Sequence, residues 1–542
     1  MNLWDCIYSP ASPDAALAFA DHTGFHRTTW AALLEQATRS AAGLRNLGVG
    51  PGVPVACVLT NSFDVCAGLL GIWLAGGTVI SLPTPGRGIP IENYVEQLQQ
   101  LCAKADARLL LLDDAFAAGV AILDGPKVIG FGQLPASGRF DPRLPGLDEP
   151  AFVQCSSGST AGPKGCVLTP RAIGAQLAMI LDRLETDPKR DSCYSWLPLS
   201  HDMGLFGGFL TPLVGGGPLT LGSPLRFLQS PGTWLSDCAA AGATITMGPN
   251  FALSLVIRAA RRRPPTGRLA LRTWILGSDP IQAAVIEDAI NIVDSLGASP
   301  TALTPAYGLA EATLTVSMKR FGTEPKWVTV DLDELYHGTI TEASADTTAM
   351  TTRVVSCGPP VTDTSLRIVG SSDVGEVVLR STSLANGYLA DPERTARVFT
   401  PDGELRTGDL GFIRDGELYV VGRKDDMIPV GGRNIIAGEI ESRINSDPRV
   451  RSGSCVLVDV DLDGKRELVV LVEPTSVDID FERTAQAMRR TAAEVASVGV
   501  RECIFLPHGS LPKSPSGKIQ RFRCRSLAAD SATLTHARVR VG

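Results

Sequence analysis

Two glycine-hinged loops, each carrying lysine, are where this chain can do chemistry. The first reads Ser156-Ser157-Gly158-Ser159-Thr160-Ala161-Gly162-Pro163-Lys164-Gly165. The second, far downstream, reads Pro512-Lys513-Ser514-Pro515-Ser516-Gly517-Lys518-Ile519-Gln520-Arg521. Backbone N–H groups and hydroxyls in a glycine context can wrap a polyphosphate. A lysine on a second glycine hinge is a point charge that can be brought to the same phosphates. The first loop is not a Walker A element. Counting from Gly158, the second glycine position is Pro163, and Lys164 precedes Gly165 rather than Ser or Thr.

Other residues carry less by themselves. Gly408-Asp409 and Asp425-Asp426 are ordinary turn chemistry. A lone Glu311 reads first as a solvated charge. His201, in Ser200-His201-Asp202-Met203-Gly204, reads equally as a structural or a functional histidine. The run Arg261-Arg262-Arg263-Pro264-Pro265 reads as a solvated loop, with a docking patch for an acidic carrier as the sharper alternative.

The elements that must position these residues follow from periodicity. Leu33, Leu34, Ala37, Ala41 and Leu44 predict a helix over 29–47. Strands are expected at Val53–Leu59, Val79–Leu82 and Leu109–Leu112, with helices over 63–75 and 93–103 between them. Strand–helix–strand units of this length imply α/β architecture, parallel sheets with helices on both faces. Thr313–Arg353 is polar and weakly periodic, and reads as an inserted or irregular segment. Short β runs at 365–369, 376–379 and 417–421 predict a β-rich subdomain. Beyond a boundary near Gly422–Asp426 come a helix over 437–444, strands over 454–460 and 467–472, and an amphipathic helix over 481–496. The expected organisation is a large domain, residues 1–422, and a small mobile α+β domain, residues 423–542.

A length of 542 residues is too long for one core. A net charge of -7 argues against a general nucleic-acid binder. The 12 cysteines include no C-x-x-C pair, so buried, reduced thiols in a cytoplasmic enzyme are expected. Neither a secretory signal nor a membrane span is expected.

The two lysine loops, together with Tyr307-Gly308-Leu309-Ala310-Glu311, Arg406-Thr407-Gly408-Asp409 and Gly422-Arg423-Lys424-Asp425-Asp426, resemble the adenylate-forming enzymes. That superfamily includes acyl-CoA synthetases, acyl-AMP ligases and peptide-synthetase adenylation domains. The resemblance spans roughly Trp30 to Arg523. It implies that a carboxylate is activated with ATP as an acyl-adenylate. Residue by residue, it implies a phosphate loop of Ser156, Ser157, Gly158, Ser159, Thr160 and Lys164. It puts Ser278 and Asp279 in the adenine-pocket loop, Tyr307 on adenine with Gly308 and Ala310 beside it, and Glu311 at Mg²⁺. Asp409 is implied as the ribose clamp, Arg423 at the ribose or α-phosphate, Asp425 as the domain hinge, and Lys518 as the catalytic lysine. Gly431-Gly432-Arg433-Asn434 matches a loop that swings into the active site. His201 would lie at the carboxylate end of the acyl pocket, with Trp196, Met203, Phe206, Phe209, Met247 and Phe251 as candidate walls.

This chain departs from the family pattern at Ala161-Gly162, which moves one glycine, and at Ala437-Gly438-Glu439, which lacks a usual proline. Trp196–Leu205, Ser223–Leu228 and Tyr307–Ser317 look closest to fatty acyl-AMP ligases. The polar segment before Val355-Ser356-Cys357-Gly358 falls where those ligases carry an insertion. The resemblance then implies transfer to the phosphopantetheine thiol of a separate acyl carrier protein. The sequence leaves open an acyl-CoA synthetase using free CoA, an amino-acid-activating enzyme, and a catalytically silent relative.

Overall fold

A computed structural model describes residues 2–8, 12–85, 91–114, 125–135, 141–156, 164–264, 267–344, 349–430, 433–462, 465–513, 519–530 and 535–540. Two parallel-dominated sheets form the large part of the molecule. The six-stranded sheet runs Lys127–Gly130, Leu109–Leu112, Pro54–Val58, Thr78–Leu82, Phe152–Ser156, Lys164–Leu168. Only its last pair is antiparallel, joining Phe152–Ser156 to Lys164–Leu168. The eight-stranded sheet has five interior parallel pairings and an antiparallel strand at each edge, Phe25–Thr29 and Thr315–Met318.

The helices between strands start and stop where the sequence says they should. Thr29 caps Trp30–Asn46 by accepting from Ala32 N at 3.2 Å, and Ser62 caps Phe63–Ala75 by accepting from Val65 N at 3.4 Å. Gly76 ends the latter with φ +94°, and a Cβ there would sit 2.5 Å from the Arg143 carbonyl oxygen. The Phe63–Ala75 helix is buried all round, as expected for a helix sandwiched between layers. Trp30, Trp73, Phe152, Phe206 and Phe209 join one apolar core that reaches both sheets.

A four-stranded antiparallel sheet follows, Thr364–Val369, Gly375–Ser381, Leu405–Arg414 and Glu417–Arg423. A 3-10 turn, Lys424–Asp426, leads to the hairpin Met427–Val430/Arg433–Ile436. Beyond it lie the helices Ala437–Asn445 and Phe481–Ala496 and a mixed four-stranded sheet. No helix among the described residues is long and apolar enough to cross a membrane. All 12 cysteines are free, and all but Cys6 are buried.

Two expectations need correction. The polar segment 313–353 is not irregular throughout. Its start, Thr315–Met318, is the edge strand of the large sheet, and Trp327–Asp331 pairs with Thr351–Val355 around the short helix Leu332–Tyr336. Val330, Leu332, Leu335, Tyr336 and Val354 pack in one cluster with Ile428, Ile435, Ala437 and Ile440. These elements are four or five residues long, too short to imprint a period. The basic run is likewise only partly a loop, since the helix reaches Arg262, Arg263 is extended beyond it, and Pro265 lies outside the described residues. Arg261 and Arg262 form the last turn of the helix Asn250–Arg262, where cations complement the helix C-terminus.

Candidate active site

The strand ends and connecting turns of the two sheets converge on one region. Lys164 opens the strand Lys164–Leu168, directly after the glycine/hydroxyl loop. Its ammonium is ion-paired with Glu311, in the 3-10 turn Ala310–Ala312. Glu311 is only 5% exposed, and it also accepts from the Tyr388 hydroxyl at 2.7 Å. Burial pushes its carboxyl up, but the Lys164 charge and the hydrogen bonds from Lys164 and Tyr388 outweigh burial. The net shift is downward, so the carboxylate form is held.

The turn that presents Glu311 requires glycine. A Cβ at Gly308 would lie 1.7 Å from the Leu314 carbonyl oxygen, because that carbonyl folds back to accept from Leu309 N at 2.8 Å. Thr313 closes the same turn at φ +67°, and its hydroxyl donates to Ser383 O at 2.7 Å.

A second polar group lies at the other end of this turn. Tyr307 Oη donates to Asp409 Oδ2 at 2.6 Å. Asp409 and Arg423 are register partners on adjacent strands, and Arg423 Nε lies 3.1 Å from Asp409 Oδ1. Burial, then the Asp409 charge, push the Tyr307 hydroxyl well above its ordinary range, so it stays a donor. Ser278 sits nearby in the left-handed region at φ +75°. Asp279, next to it, uses its side chain at a helix start. Its carboxylate accepts from Asn250 N at 2.7 Å and Phe251 N at 3.2 Å, capping the helix Asn250–Arg262.

His201, half-buried, lies in the turn before Met203–Leu210. That segment is π-helical, a wide winding that is rare and frequent at functional sites. It sends Met203 and Gly207 to one side and Phe206 and Phe209 into the core. A cavity of about 480 Å³, open mouth included, is lined by Asp202, Met203, Gly207, Met247, Gly277, Ser278, Ala306, Tyr307, Gly308 and Leu314, among others. A second, of about 440 Å³, lies between Leu184, Pro188, Cys193, Pro212 and Pro218. The two share Ile180, Gly207, Met247 and Ile275 as walls.

Of the proposed acyl walls, Met203 and Met247 therefore line the cavities. Trp196, Phe206, Phe209 and Phe251 line neither. Trp196 stacks on Phe227 at 3.8 Å, Phe206 packs edge-on against Phe152 at 5.5 Å, and Phe209 packs on Trp30 at 6.0 Å. Aromatic side chains near a motif were expected to face a ligand; their area is spent on the core instead. Gly207 went unnoticed because a glycine contributes a wall by what it lacks.

Asp425 is exposed in the turn Lys424–Asp426. Ser157, Gly158, Ser159, Thr160 and Lys518 lie outside the described residues, as do Gly431 and Gly432; Ser156 ends its strand. Tyr388 was missed in the sequence, although Gly387-Tyr388 follows a β run at the spacing of a structured turn. Among the described residues no group of three or more His, Cys, Asp or Glu could hold a metal ion. A single buried carboxylate, Glu311, suits Mg²⁺, which takes most of its ligands from phosphate and water.

Comparison with known proteins places these features in a wider set. The family model described as AMP-binding enzyme matches residues 10–389. The long-chain-fatty-acid–AMP ligase FadD26 of Mycobacterium tuberculosis is 31% identical over 93% of this chain and 92% of its own. The medium-chain-fatty-acid–[acyl-carrier-protein] ligase JamA of Moorena producens is 31% identical over 86% of this chain and 84% of its own. A solved structure from a study of fatty acyl-adenylate ligases of E. coli and L. pneumophila superimposes with a TM-score of 0.89. It is 26% identical and covers 97% of this chain and 98% of that one.

Proposed function

The chain belongs to the AMP-binding enzyme family, and from that premise we propose that it is a carboxylate-AMP ligase acting on a fatty acid or a close relative. In the first step a carboxylate oxygen attacks the α-phosphorus of ATP, and the bond to pyrophosphate breaks. In the second, the phosphopantetheine thiol of a separate acyl carrier protein attacks the acyl carbonyl, and AMP leaves.

The carrying observation is the run of apolar walls, Met203, Met247, Ile275 and Ile180, leading away from Ser278, Tyr307 and Gly308. A mixed anhydride needs a polar nucleotide end and an apolar acyl end, and these two meet there. In this reading Tyr307 packs on adenine. Asp409 exchanges its contacts for the ribose hydroxyls, with Arg423 beside it. Lys164 and the loop from Ser156 to Thr160 hold the β- and γ-phosphates. His201 and Asp202 stand at the carboxylate end. Lys518 stabilises charge developing on the α-phosphate. Glu311 would hold Mg²⁺, which neutralises phosphate charge when bound.

The two-domain division at 422/423 and rotation at Asp425 belong to the same reading. Support for a carrier rather than CoA comes from the segment 327–355. Besides its apolar cluster, Asp333 pairs with Arg433 at 2.8 Å, and Thr352 donates to Glu439 at 2.9 Å. Such a brace restrains the small domain, while a carrier protein brings its own arm through docking.

ATP–pyrophosphate exchange with a panel of carboxylic acids tests the first step. Incubation with CoA or a phosphopantetheinylated carrier tests the second. Lys518→Ala should remove most adenylation, on the order of 3 kcal/mol of barrier. No exchange with any acid, or exchange unaffected in that variant, refutes the reading.

A further inference from the structure

The segment Ala385–Leu389 is tied to both charged partners of the buried ion pair. On one side it pairs with the strand that carries Lys164. Asn386 N donates to Val167 O at 2.8 Å, Val167 N to Gly387 O at 3.0 Å, and Leu389 N to Gly165 O at 2.8 Å. On the other side Ala385 N donates to the Glu311 carbonyl at 2.9 Å. Tyr388 rises from this segment, 8% exposed, with its hydroxyl on Glu311 Oε1. Lys164 bonds the same oxygen, and its ammonium also lies 5.5 Å from the Tyr388 ring centroid.

Two donors thus share one carboxylate oxygen, and only one of them has another use in the reaction. Lys164 is required by phosphates. When it goes to them, Glu311 loses its counter-charge in a buried place, where an isolated carboxylate is costly. A divalent cation can restore that charge only if the carboxylate stays aimed at it. The tyrosine cannot follow the phosphates, because its backbone is bridged to Cys166 and its N donates to Thr395 Oγ1 at 2.9 Å.

We propose that Tyr388 is a positioning residue: its hydroxyl holds Glu311 in place while Lys164 exchanges the carboxylate for the ATP phosphates and Mg²⁺ takes over as counter-ion. This rests on the ligase reading above. With Oε1 fixed from one side by a rigid donor, the direction of the second carboxylate oxygen is set. A hydrogen bond to a charged acceptor is strong enough to matter here.

Calorimetric titration of the full chain with ATP plus Mg²⁺, ATP plus EDTA, and AMP separates the possibilities. The variants are Tyr388→Phe, Glu311→Gln and the pair together. In the parent protein Mg²⁺ should tighten ATP binding. Tyr388→Phe should lose about tenfold of that tightening, while AMP affinity stays within about twofold. In the Glu311→Gln background, Tyr388→Phe should change nothing further. An undiminished metal effect in Tyr388→Phe overturns the proposal. So does an equal loss for AMP, or a tenfold loss that persists without Glu311. General loosening of the fold is caught by the same cycle, since it would appear in both backgrounds. Failure to bind ATP at all would instead refute the ligase reading.

Discussion

Gly207 is where the two cavities meet, and filling it should shorten the acids this protein accepts. A Cβ at Gly207 would lie 3.1 Å from Met247 Sδ and 3.4 Å from Leu314 Cδ2. Both neighbours are flexible side-chain ends, so alanine fits after a small shift. Leucine does not stop there: its branches occupy the passage between Met247 and Ile180. Each methylene kept from an apolar wall forfeits about 0.8 kcal/mol. Excluding roughly four methylenes from the distal cavity then costs about 3 kcal/mol, or roughly 200-fold in kcat/KM. The assay is pyrophosphate exchange over a series of straight-chain acids with Gly207→Ala and Gly207→Leu. Long acids should fall by that factor while the shortest stay near the parent rate. A uniform loss at every length, or none, would show that the distal cavity does not receive the acyl tail.

Three further outcomes are expected. Gly308→Ala drives a Cβ into the Leu314 carbonyl, so exchange activity should collapse and the melting temperature should drop; a variant with parent activity contradicts the turn geometry. Asp191 is buried and accepts from Arg272 Nε at 2.5 Å and Nη2 at 2.6 Å. Burial pushes its carboxyl up, but the Arg272 and Arg190 hydrogen bonds win and hold it at about 2, below the ordinary 3.8. A lowered folded-state value stabilises above the ordinary range, and that stability is lost as pH falls from about 4 to 2. Asp191→Asn should cost about 2 kcal/mol or more at pH 7 and flatten denaturant midpoints across that acid window; an unchanged slope refutes it. Leu335→Ala, in the cluster shared with Ile435 and Ile440, should cost about 2–4 kcal/mol and raise acyl transfer to CoA relative to the carrier. Loss of stability with an unchanged ratio would remove the brace from the acceptor reading.

The sequence showed elements well where an unbroken apolar run fills a buried layer. The helix Phe63–Ala75 and the strand Leu109–Leu112 were legible to the residue, because each is apolar along nearly its whole length. The motif residues also gather as neighbours: Lys164 pairs with Glu311, and Tyr307 and Arg423 both contact Asp409, though they come from distant strands. What failed were readings that depend on facing. Nothing in Trp196 or Phe206 distinguishes a cavity wall from core, since both uses bury an aromatic ring. The Asp279 carboxylate serves a helix start about thirty residues upstream, a contact that spacing cannot reveal. Tyr388 belongs to the site only through a hydroxyl 77 positions from its acceptor. The segment 327–355 hid its apolar side because each piece is short and its partners lie in a later part of the chain.

That separation has a consequence for synthesis. Val330, Leu332, Leu335 and Tyr336 leave the ribosome about a hundred residues before Ile435, Ala437 and Ile440 can cover them. At elongation rates of about 5–20 residues per second, the uncovered face waits roughly 5–20 s. During that interval the large sheets can already form around their own core, but this short helix and its hairpin have no closed shell. Exposed apolar side chains of this kind are what chaperones bind and what nascent chains aggregate through. Yield in the cell is therefore tied to how soon residues 428–440 arrive, and slowing translation just upstream of them lengthens the vulnerable time.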